Sequence, residues 1–203
     1  ARTFSSAEER ECMRVRTTLA DAIASDTAAT AAKRPLPGQA PAKKPAAVAE
    51  AEADYSNFRQ RYQSLQHTME TSVGNLRSRL RGMVAAKNGE MTRLAVVDAI
   101  MDRALLPKER ALLGVIPKLL GGHFDRLRLA EAAALGEASA DTQTEDGADA
   151  EAAGATAPEP APASITPGAW LDVFRKDMRS VLLAELDVRL QPVEGLLAAL
   201  RAS

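Results

Sequence analysis

The feature that most constrains the fold is a regular apolar seam in the middle of the chain. Bulky apolar residues recur there at alternating spacings of three and four, a mean of about 3.5 residues, which is typical of a coiled coil or helical bundle. The pattern predicts one long helix from about Ala46 to Lys87. Such a helix, about 60 Å long at 1.5 Å per residue, needs other helices packed along it. The seam consists of Tyr55, Phe58, Tyr62, Leu65, Met69, Val73, Leu76, Leu80 and Met83.

Two shorter apolar stripes predict a helix on each side of the seam. The first helix ends near Asp26, and its only cysteine, Cys12, is interpreted as a small core residue. Its stripe consists of Cys12, Val15, Leu19 and Ile23. After a helix stop at Asn88-Gly89, the next helix is predicted to end at Leu106. Its stripe consists of Leu94, Val97, Met101 and Leu105.

Prolines and glycines divide the segment that follows. Pro107 predicts the first turn of another helix, where a missing N–H is harmless. Pro117 and the pair Gly121-Gly122 are expected to split that helix into two short pieces with a bend between them.

The last helical segment carries an apolar stripe beginning at Leu171, behind a predicted N-cap at Thr166-Pro167 and with an expected kink at Pro192. Its polar face balances acidic and basic residues, including Glu185 and Arg189. A membrane-surface helix would show an excess of Lys and Arg. The segment is therefore predicted to be a bundle member, in the same chain or in a second copy.

Two segments have the composition of disordered linkers. One is rich in proline, alanine and lysine, and the other holds eight acidic and no basic residues between positions 130 and 166. The predicted fold is therefore all-α: an elongated helical bundle with a coiled-coil-like seam, about five helices and two disordered linkers. The predicted divisions are an N-terminal helix at 1–26, a linker at 27–46, a bundle core at 47–129, an acidic linker at 130–166 and a C-terminal amphipathic helix at 167–203.

The chain carries no recognisable catalytic signature, and we expect a protein that is not an enzyme. A single cysteine excludes an internal disulfide and a cysteine-cluster metal site. His67 and Glu70 are interpreted as a surface pair and His123 as a helix-capping residue, since neither has a second ligand pair or a nucleophile pattern near it. No catalytic, cofactor-binding or metal-binding residue is predicted.

Two kinds of interaction remain open. The first is packing against a helical protein partner or a second copy through the apolar residues Trp170, Leu171, Phe174, Met178, Leu182, Tyr55, Phe58 and Tyr62. The alternative is nucleic-acid binding by an arginine-rich body that includes a basic patch of Arg77, Arg79 and Arg81, with the acidic linker as an internal competitor. Few aromatic residues are available for stacking on bases, so this alternative is the weaker one.

Four stretches resemble an uncharacterised proteobacterial family, domain of unknown function family 3348. They are "ECMRVRTTLADAIA", "YSNFRQRYQSLQHTMETSVGNLRSRLR", "RLAVVDAIMDRAL" and "PGAWLDVFRKDMRSVLLAELDVRLQPVEGLLAAL". Members usually carry a further helical segment before the first helix, so the N-terminal part is expected to be missing here. The resemblance implies no activity or cofactor. The genes that usually lie near those of the family imply that such a protein is a cytoplasmic accessory of an envelope-associated complex.

Overall fold

The computed structural model describes the backbone of residues 2–31, 54–144 and 168–202, and the side chains of residues 7–25, 54–137 and 168–202. The described residues form helices and no strand, which confirms the predicted all-α class. The described part of the chain contains five helices: α1 (Arg2–Ala31), α2 (Tyr55–Ala85), α3 (Gly89–Leu113), α4 (Ile116–Thr144) and α5 (Ala169–Ala202). None of these helices combines the length and apolar character that a membrane span requires.

Helix α5 lies at the centre of the bundle, where it packs against α1, α2 and α4 of its own chain. Its apolar stripe is almost wholly buried, and the helix continues through Pro192 without ending. The stripe consists of Phe174, Met178, Leu182, Leu186, Leu190, Val193, Leu196, Leu197 and Leu200. Of the two arrangements that the sequence leaves open, this structure therefore shows packing within one chain.

The seam of α2 packs along α5. Six of its nine predicted residues are buried, and Tyr55, Leu65 and Met83 pack against the core while partly exposed. The Asp54 side chain caps the helix by accepting a hydrogen bond from the Ser56 N–H at 2.9 Å. Cys12 of α1 is buried beside this core as predicted, and burial raises the pKa of its thiol.

An aromatic cluster joins α2, α4 and α5 at one end of the bundle. The Phe174 ring lies edge-on to Phe58 and Phe124, with ring centroids 5.2 and 5.0 Å apart. Trp170 contacts Phe124 edge-on at 4.8 Å and is partly buried. Phe124 is therefore the ring that α4 contributes to the core, although it was not among the residues predicted from the sequence.

The break between α3 and α4 lies elsewhere than predicted. Helix α3 continues through Pro107 to Leu113, and the chain turns at Gly114-Val115, so the prediction of a helix end at Leu106 was wrong. Contacts to α2 on both sides of the proline, from Asp102 and Arg110, hold the two parts of α3 in line. Pro117 lies in the first turn of α4, where its missing N–H does no harm.

Helix α4 also differs from the prediction in its interior and at its end. It runs without interruption through Gly121-Gly122, where a bend was expected. Gly121 instead makes room for the Tyr55 ring, because an added Cβ would lie 2.9 Å from Tyr55 Cε1. The helix then continues to Thr144, so the acidic linker does not begin at Ala130; the alanine, leucine and glutamate of this stretch favour helix.

Several predicted features lie outside the described residues. They are the N-cap at Thr166-Pro167, the start of the long helix between Ala46 and 53, the linker residues 32–46 and the acidic residues 145–166. The first helix extends beyond its predicted end near Asp26, since α1 includes residues up to Ala31.

We expect Phe174→Ala to lower the free energy of unfolding by about 3–5 kcal/mol, because the ring is wholly buried among other rings. Trp170→Ala should cost less, because the indole is only partly buried. Val188→Ala is the control on the same helix, at a side chain 52% exposed, and should change stability by less than about 0.5 kcal/mol. Urea unfolding followed by circular dichroism measures all three. An equal or larger loss for Trp170→Ala would contradict the central position of Phe174.

Candidate interaction surface

Helix α3 is attached to the bundle by charged side chains as well as by apolar ones. Arg77 and Arg81 of α2 lie one helical turn apart, and so do Asp98 and Asp102 of α3. The Arg77 guanidinium donates to Asp98 at 2.6 Å and to Asp102 at 2.8 Å. Arg81 donates to the same two carboxylates at 2.7 and 2.6 Å. Both arginines therefore bind both aspartates, and we call these four residues the Arg–Asp square.

The charges of the Arg–Asp square determine the protonation of Asp98. Burial disfavours the charged carboxylate, but hydrogen bonds from Arg77 and Arg81, together with their charges, outweigh it and lower the pKa of Asp98 below its usual value. The carboxylate is consequently held ionised at the contact between α2 and α3.

A second polar cluster joins α2, α3 and α5 around two buried charges. Glu185 and Arg189 of α5 are only 3% and 7% exposed, although the sequence placed them on the polar face of that helix. Glu185 accepts hydrogen bonds from Tyr62 and Gln66 of α2, both at 2.9 Å, and from Arg189 at 2.9 and 3.0 Å. Arg189 also donates to Glu109 of α3 at 2.8 Å. The contacts from Glu185 to α2 and from Arg189 to α3 join separate helices, whereas the Arg189–Glu185 pair lies within α5, so the cluster fixes the relative positions of three helices.

Burial also explains the state of the tyrosine in this cluster. Removal from water, and secondly the negative charge of Glu185, raise the pKa of Tyr62 far above its ordinary value. Its hydroxyl therefore remains a hydrogen-bond donor to Glu185 throughout the physiological pH range.

The C-terminal part of α3 is held in the same way. Arg110 donates to Glu70 of α2 through Nε at 2.8 Å, and Gln66 donates to the Leu113 carbonyl at 3.1 Å. Ala95 is the only residue of α3 that is buried. The inward side of α3 therefore combines polar groups with half-buried apolar side chains, among them Met91, Leu106 and Leu113.

Many of the large apolar residues of α3 nevertheless point outward. Its seven largest exposed apolar side chains are between 40% and 73% exposed. Contiguous apolar surface of this kind marks sites of interaction in soluble proteins. We define the α3 outer face as Leu94, Val96, Val97, Ile100, Met101, Leu105 and Leu112.

A groove of about 480 Å³ borders the α3 outer face on the side of α5. Leu94, Val97, Met101 and Leu105 form one wall, and Pro192, Gly195 and Leu196 contribute to the other. The stripe predicted for α3 therefore exists as one face, but it lines an open groove and is not part of the closed core.

The apolar residues predicted for interaction lie together, in the interior. Phe58, Tyr62, Phe174, Met178 and Leu182 are buried. Tyr55, Trp170 and Leu171 are partly buried against the same core. The contacts that they make are between helices of one chain, and they do not form an open docking surface in this structure.

The predicted basic patch is divided between two contacts. Arg77 and Arg81 belong to the Arg–Asp square, whereas Arg79 points to α1 and donates to Glu11 at 2.9 Å. The Arg79 hydrogen bond lowers the pKa of Glu11. All three guanidinium groups therefore have a carboxylate partner in the same chain.

The two histidines lie apart. His67 is exposed, and its predicted partner Glu70 is bound to Arg110, which lowers the pKa of that carboxyl. His123 lies inside α4 rather than at a helix end, and its Nε2 is 2.8 Å from Asp177 Oδ2 of α5. Among the residues with described side chains, no cluster of three or more histidine, cysteine, aspartate or glutamate residues could hold a metal ion.

We expect Asp98→Asn to lower the free energy of unfolding by about 1–3 kcal/mol near neutral pH, since it removes one charge of a partly buried ion pair. Asp98 has a lowered pKa in the folded state, so its stabilising effect is present above the unfolded-state pKa of about 3.9 and is lost as pH falls through the folded-state value. The difference between wild type and Asp98→Asn should therefore shrink below about pH 4. Urea unfolding at steps of pH measures this difference.

Asp125→Asn is the matched control for this experiment. Asp125 pairs with Arg128 at 3.8 Å and is 62% exposed, so its loss should change stability by less than about 1 kcal/mol at any pH. A loss at Asp98 no greater than that at Asp125, or one independent of pH, would contradict the structural role of the Arg–Asp square.

Comparison with known proteins identifies the family of this chain. A family model described as a protein of unknown function, DUF3348, matches residues 1–202. No curated protein matches the chain, and no solved structure matches it. The family match extends over all five helices and agrees with the resemblance of the four sequence stretches. The chain therefore belongs to the DUF3348 family.

Proposed function

We propose that this protein is a non-enzymatic, all-helical interaction protein that binds an amphipathic helix on the α3 outer face. The observation that carries the proposal is the orientation of α3, whose Asp98 and Asp102 point into the bundle while seven of its leucine, valine, isoleucine and methionine side chains are exposed. An amphipathic helix in an apolar groove is a common mode of recognition, with anchors spaced three and four residues apart. Leu94, Val97, Met101 and Leu105 have that spacing.

The supporting contrast is with the other helices. The apolar stripes of α1, α2 and α5 are largely covered by packing within the bundle, so they leave little area for a partner. The outer face of α3 is rimmed by charged residues such as Arg93, Arg103 and Lys108, all of them exposed. An apolar centre with a charged rim is the usual arrangement of a protein interface.

Nucleic-acid binding remains the alternative proposal and has less support. Phosphate recognition needs guanidinium and ammonium groups with free donors. Arg77, Arg79 and Arg81 are each bound to a carboxylate, and a phosphate would have to displace that carboxylate first.

The family resemblance adds a setting to the main proposal. It implies a cytoplasmic accessory of an envelope-associated complex, in which the partner helix would belong to another component of that complex. The α3 outer face is the part of the described chain that we assign to such a contact.

Site-specific photo-crosslinking in the native cell tests the proposal. A photoreactive phenylalanine analogue replaces Val97 on the α3 outer face, 50% exposed, or Val188 on α5, 52% exposed. We expect a discrete adduct from position 97 and none from position 188, because only the former lies on the proposed docking surface. Adding Met101→Asp to the position-97 protein should abolish the adduct, since it places a charge at the centre of the face.

Val188 is a suitable control because it has the same side chain and nearly the same exposure, and like Val97 it has an aspartate beside it in sequence. Absence of a discrete adduct at position 97, or the same adducts at both positions, would overturn the proposal.

A further inference from the structure

Two opposite charges flank the α3 outer face, of which only Leu112 lies beyond them. Glu90 is in the first turn of α3 and Lys108 is near its C-terminal end, and both are exposed. Neither forms an ion pair with another residue in the part of the chain that the structure describes. Both charges are therefore available to a partner that covers the apolar residues between them.

Glu90 and Lys108 lie on the same stripe of α3 as the apolar residues between them. Alternating spacings of four and three connect six residues, which is the heptad spacing of a coiled-coil seam. These residues are Glu90, Leu94, Val97, Met101, Ala104 and Lys108. All except the two end residues are apolar, so this stripe is a short seam with one charge of each sign at its ends.

The seam is also symmetric about the level of Ala99. Val97 and Met101 each lie two residues from Ala99, one before it and one after it. In the same way Leu94 and Ala104 each lie five residues from Ala99, and Glu90 and Lys108 each lie nine residues from it. A two-fold axis at this level brings each member of a pair opposite the other member in a second, antiparallel copy. Large residues then face smaller ones, as in Leu94 against Ala104, and each Glu90 faces a Lys108.

Charge selects this arrangement over a parallel one. In a parallel pair in register, Glu90 would face Glu90 and Lys108 would face Lys108, and like charges at such positions are destabilising. In the antiparallel pair the same two residues form two favourable contacts, one at each end of the seam.

We propose that the partner of the α3 outer face is a second copy of this chain, and that the two α3 helices pack antiparallel with Val97 opposite Met101 and Glu90 opposite Lys108. This inference rests on the proposed function and adds to it the identity and register of the partner. The seam from Glu90 to Lys108 is about 27 Å long at 1.5 Å per residue. A contact of that size is at the small end of protein interfaces, and we expect a dimer with a micromolar dissociation constant.

Charge reversal tests the register by sedimentation equilibrium of the purified full chain. Glu90→Lys and Lys108→Glu alone should each weaken dimerisation roughly tenfold, because each turns both end contacts from attractive to repulsive. The double variant exchanges the charges and should return to within about threefold of wild type. Lys118→Glu, an exposed reversal on α4, is the control and should leave the dissociation constant unchanged.

Disulfide cross-linking tests the orientation independently, in a Cys12→Ala background. Oxidation of a mixture of Val97→Cys and Met101→Cys proteins should give mainly the mixed dimer, because a disulfide needs Cα atoms within about 7 Å. When either variant is oxidised alone, the two identical cysteines of a dimer are offset along the helix axis by about 6 Å, in addition to the distance between the helices. A parallel pair would reverse this result, and a mixture cross-linked mainly as Val97→Cys with itself would overturn the inference.

The mass of the photo-adduct from position 97 separates this inference from the proposed function. An adduct of twice the chain mass supports both. The proposal that the partner is a second copy is overturned if the adduct has another mass, or is a link within one chain, and the protein is a monomer in sedimentation. A discrete adduct to another protein leaves the interaction function standing. No adduct and no dimer overturn both. Equal dissociation constants for the single and double charge variants overturn the register.

Discussion

The Arg–Asp square is the contact on which the orientation of α3, and with it the exposed surface of the protein, depends. Two guanidinium groups and two carboxylates satisfy one another at 2.6–2.8 Å between α2 and α3. Removing one member leaves an unbalanced charge among the other three partly buried groups, which is more costly than the net contribution of the intact pairs suggests. The main effect of the Arg–Asp square is therefore to fix the orientation of α3 about its own axis, rather than to add stability.

A second set of charges performs the same task inside the bundle. Glu185 accepts from two residues of α2 and from Arg189, and Arg189 reaches Glu109 of α3. Apolar side chains on α5 would pack against α1, α2 and α4 in several related registers, because leucines are similar to one another in shape. A buried carboxylate with defined donors on α2 admits one register, and this gives the central helix a fixed position in the bundle.

The sequence predicted the fold best where apolar spacing decides it. The seam of α2 and the stripe of α5 are buried as their 3.5-residue and amphipathic patterns indicated, because burial of large side chains dominates the energy of packing. Boundaries at Pro107 and Ala130 were missed, since contacts on both sides of a proline and the helix propensity of alanine act against the local breakers. The inward side of α3 was missed for another reason: the pairing of Asp98 with Arg77 joins separate helices and leaves no periodic signal.

The orientation of α3 also bears on what the bundle is for. Burying one leucine, isoleucine or methionine side chain contributes about 1.5–3 kcal/mol, whereas the attraction within a buried ion pair is largely offset by desolvation. A chain selected only for the stability of one copy has no reason to leave Leu94, Val97 and Met101 exposed to water. The Arg–Asp square, together with the half-buried Met91 and Leu106, fixes the rotation of α3, so the free energy available from the α3 outer face can be gained only when another molecule covers it. This arrangement favours a protein whose bundle presents α3 for assembly.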